Sequence, residues 1–123
     1  MESNRRTAKN RTILVVDDDD AIRAWLERLL TDAGYRVASA PSVEQGKKLL
    51  ASEDPDLLIT DVRMGAFNGL HLLALSPASL PKIVITGHAD PVVEKDARRM
   101  GAAFLLKPVS ASELLRLVET ALA

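Results

Sequence analysis

Four short apolar runs each end on a side chain that carries chemistry, and this repetition constrains the fold more than any other feature. Ile13-Leu14-Val15-Val16 runs into Asp17-Asp18, and Leu57-Leu58-Ile59 into Thr60-Asp61. Ile83-Val84-Ile85 ends on Thr86, and Phe104-Leu105-Leu106 on Lys107. Continuous apolar runs of this length fit strands buried on both faces, which is the habit of parallel sheets. Tyr35 to Ala40 reads as a further, weaker strand at an edge. Between the runs, apolar residues recur at helical spacing: Ile22, Trp25, Leu26, Leu29 and Leu30, then Val43, Gly46, Leu49 and Leu50, and last Leu114, Leu117, Val118 and Ala121. Asp20 is placed to cap the first helix and Gly34 to stop it. Ser42 with Gln45 and Ser110 with Glu113 have capping-box spacing. A helix from Pro91 to Met100 is closed by Gly101, whereas Leu70 to Leu75 is hardly two turns before Ser76-Pro77. Gly65 to Gly69 reads as a loop. The pattern is five βα units. It predicts an α/β fold, a doubly wound five-stranded parallel sheet with right-handed connections and helices on both faces.

At 123 residues the chain is one domain, able to bury a core without staples. Residues 1–10 form a basic arm, expected to be a flexible terminus, and residues 11–123 the domain itself. The absence of cysteine excludes disulfides and thiolate chemistry. A net charge of −1 argues against a general nucleic-acid surface. No apolar run reaches membrane-spanning length and the N-terminus has no secretory core, so a cytoplasmic protein without membrane contact is expected.

In such a sheet, ligands gather at the carboxyl edge. With strand order 2-1-3-4-5, the first and third strands are neighbours, and Asp17, Asp18 and Asp61 converge there. Close carboxylates repel by roughly 4 kcal/mol per pair at an effective dielectric near 20. A hard divalent cation relieves this. Three carboxylates without His or Cys favour Mg²⁺ (or Mn²⁺), which commonly binds carboxylates together with a phosphate. Thr86 and Lys107 add a hydroxyl and an ammonium to the same edge, suited to phosphoryl oxygens. Asp61 then reads as a nucleophile forming an acyl phosphate.

Val15-Val16-Asp17-Asp18-Asp19, Ile59-Thr60-Asp61 with Met64 and Gly69, Ile85-Thr86-Gly87 and Leu106-Lys107-Pro108 resemble, in order and spacing, the response-regulator receiver domain of two-component signalling. The resemblance covers about Arg11 to Ala123. It implies the flavodoxin-like receiver fold and a signalling domain rather than an enzyme turning over an external substrate. Asp61 would accept phosphate from a histidine kinase or phosphotransfer protein. Asp18 and Asp61 would bind Mg²⁺ directly, Asp17 largely through water, and the Arg63 backbone carbonyl would be a further ligand. Thr86 and Lys107 would hold the phosphoryl oxygens. Gly87 would keep the site open, and Thr86 with Phe104 would form the conformational switch. A cis Lys107-Pro108 bond is implied as well. Output would pass to a downstream protein through the face of the fourth helix, fifth strand and fifth helix, from a monomer or a phosphorylation-dependent dimer.

The chain also departs from that family. Gly65 replaces a common proline, so the Met64–Asn68 loop is expected to be more mobile. The third helix and its following loop are about four residues short. Arg63 and His88 flank positions that control the attacking water and are expected to tune the phosphate's lifetime. The Gly87-His88-Ala89-Asp90 loop looks most like receivers of the nitrogen-regulation type. Because the chain stops at the end of the last helix, the leading expectation is a stand-alone receiver. The alternatives are the receiver portion of a longer DNA-binding regulator and a pseudo-receiver that signals without phosphate. A haloacid-dehalogenase-like phosphatase would use Asp17-Asp18-Asp19 as its Asp-x-Asp motif, but Ala21 stands where that family wants Thr or Val, and Asp61 would be left unexplained.

Overall fold

The structure is a computed structural model. It describes residues 11–64, 67–87 and 90–123, with the side chains of 63, 64 and 67–69 outside that description. Among the described residues seven strands form, β1 (Thr12–Val16), β2 (Arg36–Ala40), β3 (Leu57–Thr60), β4 (Arg63–Met64), β5 (Phe67–Asn68), β6 (Lys82–Thr86) and β7 (Ala102–Leu106). The helices are α1 (Asp20–Asp32), α2 (Val43–Glu53), α3 (Gly69–Leu75), α4 (Pro91–Arg99) and α5 (Ala111–Leu122). Five strands make one parallel sheet in the order β2-β1-β3-β6-β7, the doubly wound order expected from the sequence.

The apolar runs give two cores because side chains alternate across a strand. Leu14, Val16, Leu58 and Val84 join Val43, Leu72, Leu73 and Ala97 on the side of α2, α3 and α4. Ile13, Val15, Ile59, Ile83 and Ile85 join Leu26, Leu30, Leu114 and Val118 on the side of α1 and α5. Gly46 sits where α2 crosses β1. A Cβ there would lie 3.0 Å from Val16 Cγ2 and 3.2 Å from Leu72 Cδ2, so its bare backbone sets how near the helix comes.

Two local readings are corrected. Asp19, not Asp20, caps α1. Asp19 has the extended backbone that a cap needs, and its carboxylate accepts from the Ala21 and Ile22 N–H groups, whereas Asp20 is already the first helical residue. The segment read as a loop, Gly65 to Gly69, holds the two-residue strand β5, which pairs antiparallel with β4 just ahead of that segment. Lys82, the first residue of β6, is 4% exposed. Its ammonium donates to the Pro77 and Leu80 carbonyls, at 3.0 and 2.7 Å, and so ties the connection after α3 to the sheet. The shortness of α3 stands: it has seven residues and stops before Ser76-Pro77. The basic arm, Gly65, His88 and the Arg63 side chain lie outside the described residues.

Candidate functional site

Register delivers the functional side chains. Val16 pairs with Thr60, Thr60 with Val84, and Thr86 with Leu106. The residue after each strand therefore emerges at the same edge. The Asp61 N–H donates to the Val16 carbonyl at 3.0 Å, and the Lys107 N–H to the Thr86 carbonyl at 2.8 Å, so the ladder continues one residue into the site on both sides. The buried Thr60 hydroxyl donates to the Asp61 carbonyl at 2.9 Å and pins the main chain beneath the acid.

Asp17, Asp18 and Asp61 each offer a carboxylate oxygen within 4.8 Å of the other two. Asp17 and Asp61 are buried, and Asp18 is exposed. The Lys107 ammonium lies between the buried pair, 2.7 Å from Asp61 Oδ2 and 3.3 Å from Asp17 Oδ2. Burial works against the Lys107 charge, but the hydrogen bond to Asp61 and the charges of Asp17 and Asp61 outweigh it and raise its pKa. Burial also dominates at Asp17. It raises the carboxyl's pKa, aided by the Asp61 charge, although the Asp19 N–H and Lys107 pull the other way. One ammonium thus leaves three clustered carboxylates incompletely neutralised. Their all-oxygen donor set and spacing fit a hard divalent cation, Mg²⁺ or Mn²⁺.

The other predicted residues fall around this cluster. Thr86 is buried at the end of β6. Phe104 is half-buried in β7, paired with Val84 and packed against the core beneath α4. Among the described residues, a methyl on Gly87 would meet only Lys107 Cδ, at 4.0 Å, and larger side chains would grow over Lys107. Lys107-Pro108 is cis. Arg63 stands in β4, two residues past Asp61. Arg23 escaped the sequence reading. Its Nη1 donates to the Asp17 carbonyl at 2.8 Å, and its Nη2 to Asp20 Oδ1 at 2.6 Å. The available signal was its position, a cation in the first turns of a helix, where the macrodipole disfavours one.

Residues 13–119 match the response regulator receiver domain family. The chain is 38% identical over 114 residues to the DNA-binding transcriptional regulator NtrC of Proteus hauseri, covering 89% of this chain and 24% of that protein. It is 35% identical over 120 residues to the sensory/regulatory protein RpfC of Xanthomonas campestris pv. campestris, covering 91% of this chain and 16% of that one. The chain therefore spans a quarter or less of these relatives' length. Among solved structures, a CheY-like response regulator receiver domain protein from Methanospirillum hungatei superposes with a TM-score of 0.85 at 31% identity, over 91% of this chain and 93% of the other. With the parallel five-stranded sheet and the acidic edge already in place, these matches establish that the chain belongs to the response-regulator receiver family of two-component signalling.

Proposed function

We propose that Asp61 accepts a phosphoryl group from the phosphohistidine of a sensor kinase or phosphotransfer protein. The carrying observation is the Lys107–Asp61 bond, made inside a cluster of three carboxylates. An Asp61 oxygen attacks phosphorus as the bond from phosphorus to the donor nitrogen breaks, and the electron pair leaves on the imidazole. Lys107 would then shift its hydrogen bond from the Asp61 carboxylate to a phosphoryl oxygen. Thr86, paired with Leu106 on the neighbouring strand, would donate its hydroxyl to another. Asp17, Asp18 and Asp61 would hold Mg²⁺, with the Arg63 carbonyl as a further ligand. The ion, when bound, supplies charge that stabilises the transferring group. Movement of Thr86 toward the phosphate would leave room for Phe104 to turn inward, shifting a two-state equilibrium. Arg63 and His88 would tune the lifetime of the phosphorylated state.

Two surfaces support partner binding. Ile22, Trp25, Pro108 and Val109 line a groove that Lys107 borders, and Trp25 is 39% exposed. Any protein donor must come to this rim to reach Asp61. Val92 on α4 and Leu106 on β7 are exposed large apolar side chains, and they favour output through the α4–β7–α5 face. The length of NtrC and RpfC relative to this chain favours the receiver portion of a longer regulator over a stand-alone receiver, and the full reading frame decides between them.

Intact-protein mass after incubation with a small acyl phosphate tests the chemistry. One Mg²⁺-dependent phosphoryl adduct is expected on the wild type and none on Asp61→Asn. An adduct that persists on Asp61→Asn would remove the nucleophile assigned here.

A further inference from the structure

Asp18 is an exposed member of the acidic cluster, and among the described residues its carboxylate has no hydrogen-bond partner. Its direction must therefore come from the backbone. The peptide between Asp17 and Asp18 is held on its carbonyl side by Arg23 Nη1, at 2.8 Å. The same guanidinium is locked by Asp20, at 2.6 Å, and its side chain is only 17% exposed although its partner carboxylate is 88% exposed. The neighbouring Asp17 Oδ1 is fixed separately, by the Asp19 N–H at 2.9 Å. Rotating the Asp17–Asp18 peptide would swing the Asp18 carboxylate away from Asp61. A cation in the N-terminal turns of α1 opposes the helix dipole, and it also stands near a site for another cation. A position unfavourable on both counts calls for a compensating role.

We propose that Arg23 is a positioning residue of the cation site: its fork clamps the Asp17–Asp18 peptide so that the two carboxylates and Asp61 present one ligand set to Mg²⁺. Arg23 acts through that peptide and does not itself contact the ion. The role rests on reading the acidic cluster as a Mg²⁺ site. It deepens that reading by assigning the orientation of Asp18 to a residue outside the cluster.

Charge and position predict opposite signs, which makes the role testable. If Arg23 mattered only as a nearby positive charge, Arg23→Gln would bind Mg²⁺ more tightly and Arg23→Lys would bind as the wild type does. If it positions the peptide, both variants bind more weakly. The lysine keeps the charge but has no planar fork to reach the Asp17 carbonyl and Asp20 together. Calorimetric titration of the full chain with MgCl₂ reads this directly, with circular dichroism confirming that each variant is folded. The expected result is a loss of affinity of about tenfold for both variants, the lower end of what supporting residues around metal ligands contribute. A merely structural role would lower the urea midpoint in EDTA and leave the Mg²⁺ affinity of the folded variants unchanged. Wild-type binding together with unchanged or tighter binding by both variants overturns the proposal. Absence of Mg²⁺ binding by the wild type overturns the cation site and, with it, this role.

Discussion

Four consecutive acids look redundant as a sequence, yet Asp17, Asp18, Asp19 and Asp20 occupy four different environments. Asp17 is buried against Lys107, Asp18 joins the cluster from the exposed side, Asp19 caps α1 and Asp20 pairs with Arg23. At the opposite edge of the sheet, Lys82 is a buried cation bonded to two carbonyls, and burial pushes its pKa down. The unfolded chain keeps the ordinary lysine value near 10.5, so in the window below it the unfolded state binds more protons than the folded state. Stability contributed at this residue therefore rises with pH through that window. Urea denaturation at several pH values between 8 and 10 should show the wild type gaining on Lys82→Met as pH rises, with the other titrating groups cancelling in the difference. Parallel curves for the two proteins would show that Lys82 keeps its ordinary proton affinity when folded.

The large elements were legible because each carries its own periodicity. Every strand of the main sheet lies where its apolar run puts it, the helices lie where apolar spacing or, for α4, Pro91 and Gly101 put them, and Gly34, with φ of 101°, stops α1 as its position suggested. The hairpin of β4 and β5 was not legible, since two-residue strands contain too few side chains to show alternation. The convergence of Asp17, Asp18, Asp61 and Lys107 was legible once strand order was assumed, because register alone places strand ends together. The bonds from Arg23 and Lys82 to main-chain carbonyls were not, because such bonds leave no pattern in side-chain types; only the cation in the first turns of α1, three residues after Asp20, pointed toward the first. Gly46 shows how tightly an element can be fixed by one missing side chain. In an exposed helix, replacing glycine by a better helix former gains up to about 1 kcal/mol. Here the added atoms of Gly46→Val would press on Val16 and Leu72, an overpacking that typically costs about 1–3 kcal/mol. A net loss of about 2 kcal/mol in urea denaturation is expected. A variant as stable as the wild type would mean that α2 can slide away from β1 freely.

At the scale of the whole molecule, one exposed apolar side chain, Trp25, stands beside the acidic edge. Trp25 reaches the groove beside Lys107 from α1, a helix that supplies none of the clustered carboxylates. Trp25→Ala should therefore separate two kinds of phosphorylation. Labelling by a small acyl phosphate should be unchanged. Transfer from a cognate phosphohistidine protein should fall about tenfold or more, as expected for a central aromatic contact. Equal losses with both donors would place Trp25 in the chemistry rather than in docking.

The ladder that carries Asp61 and Lys107 to one edge also bears on how the chain is made. Asp17 and Asp61 belong to its first half, while the ammonium that separates them comes from the end of the last strand, 46 residues beyond Asp61. A chain still emerging from the ribosome holds Asp61 without its counter-charge and without the strand that pairs with Thr86. On the proposed function, competence to take up phosphate is thus withheld until β7 and Lys107 have been made, and chains cut short of Lys107 do not drain the donor that longer ones depend on.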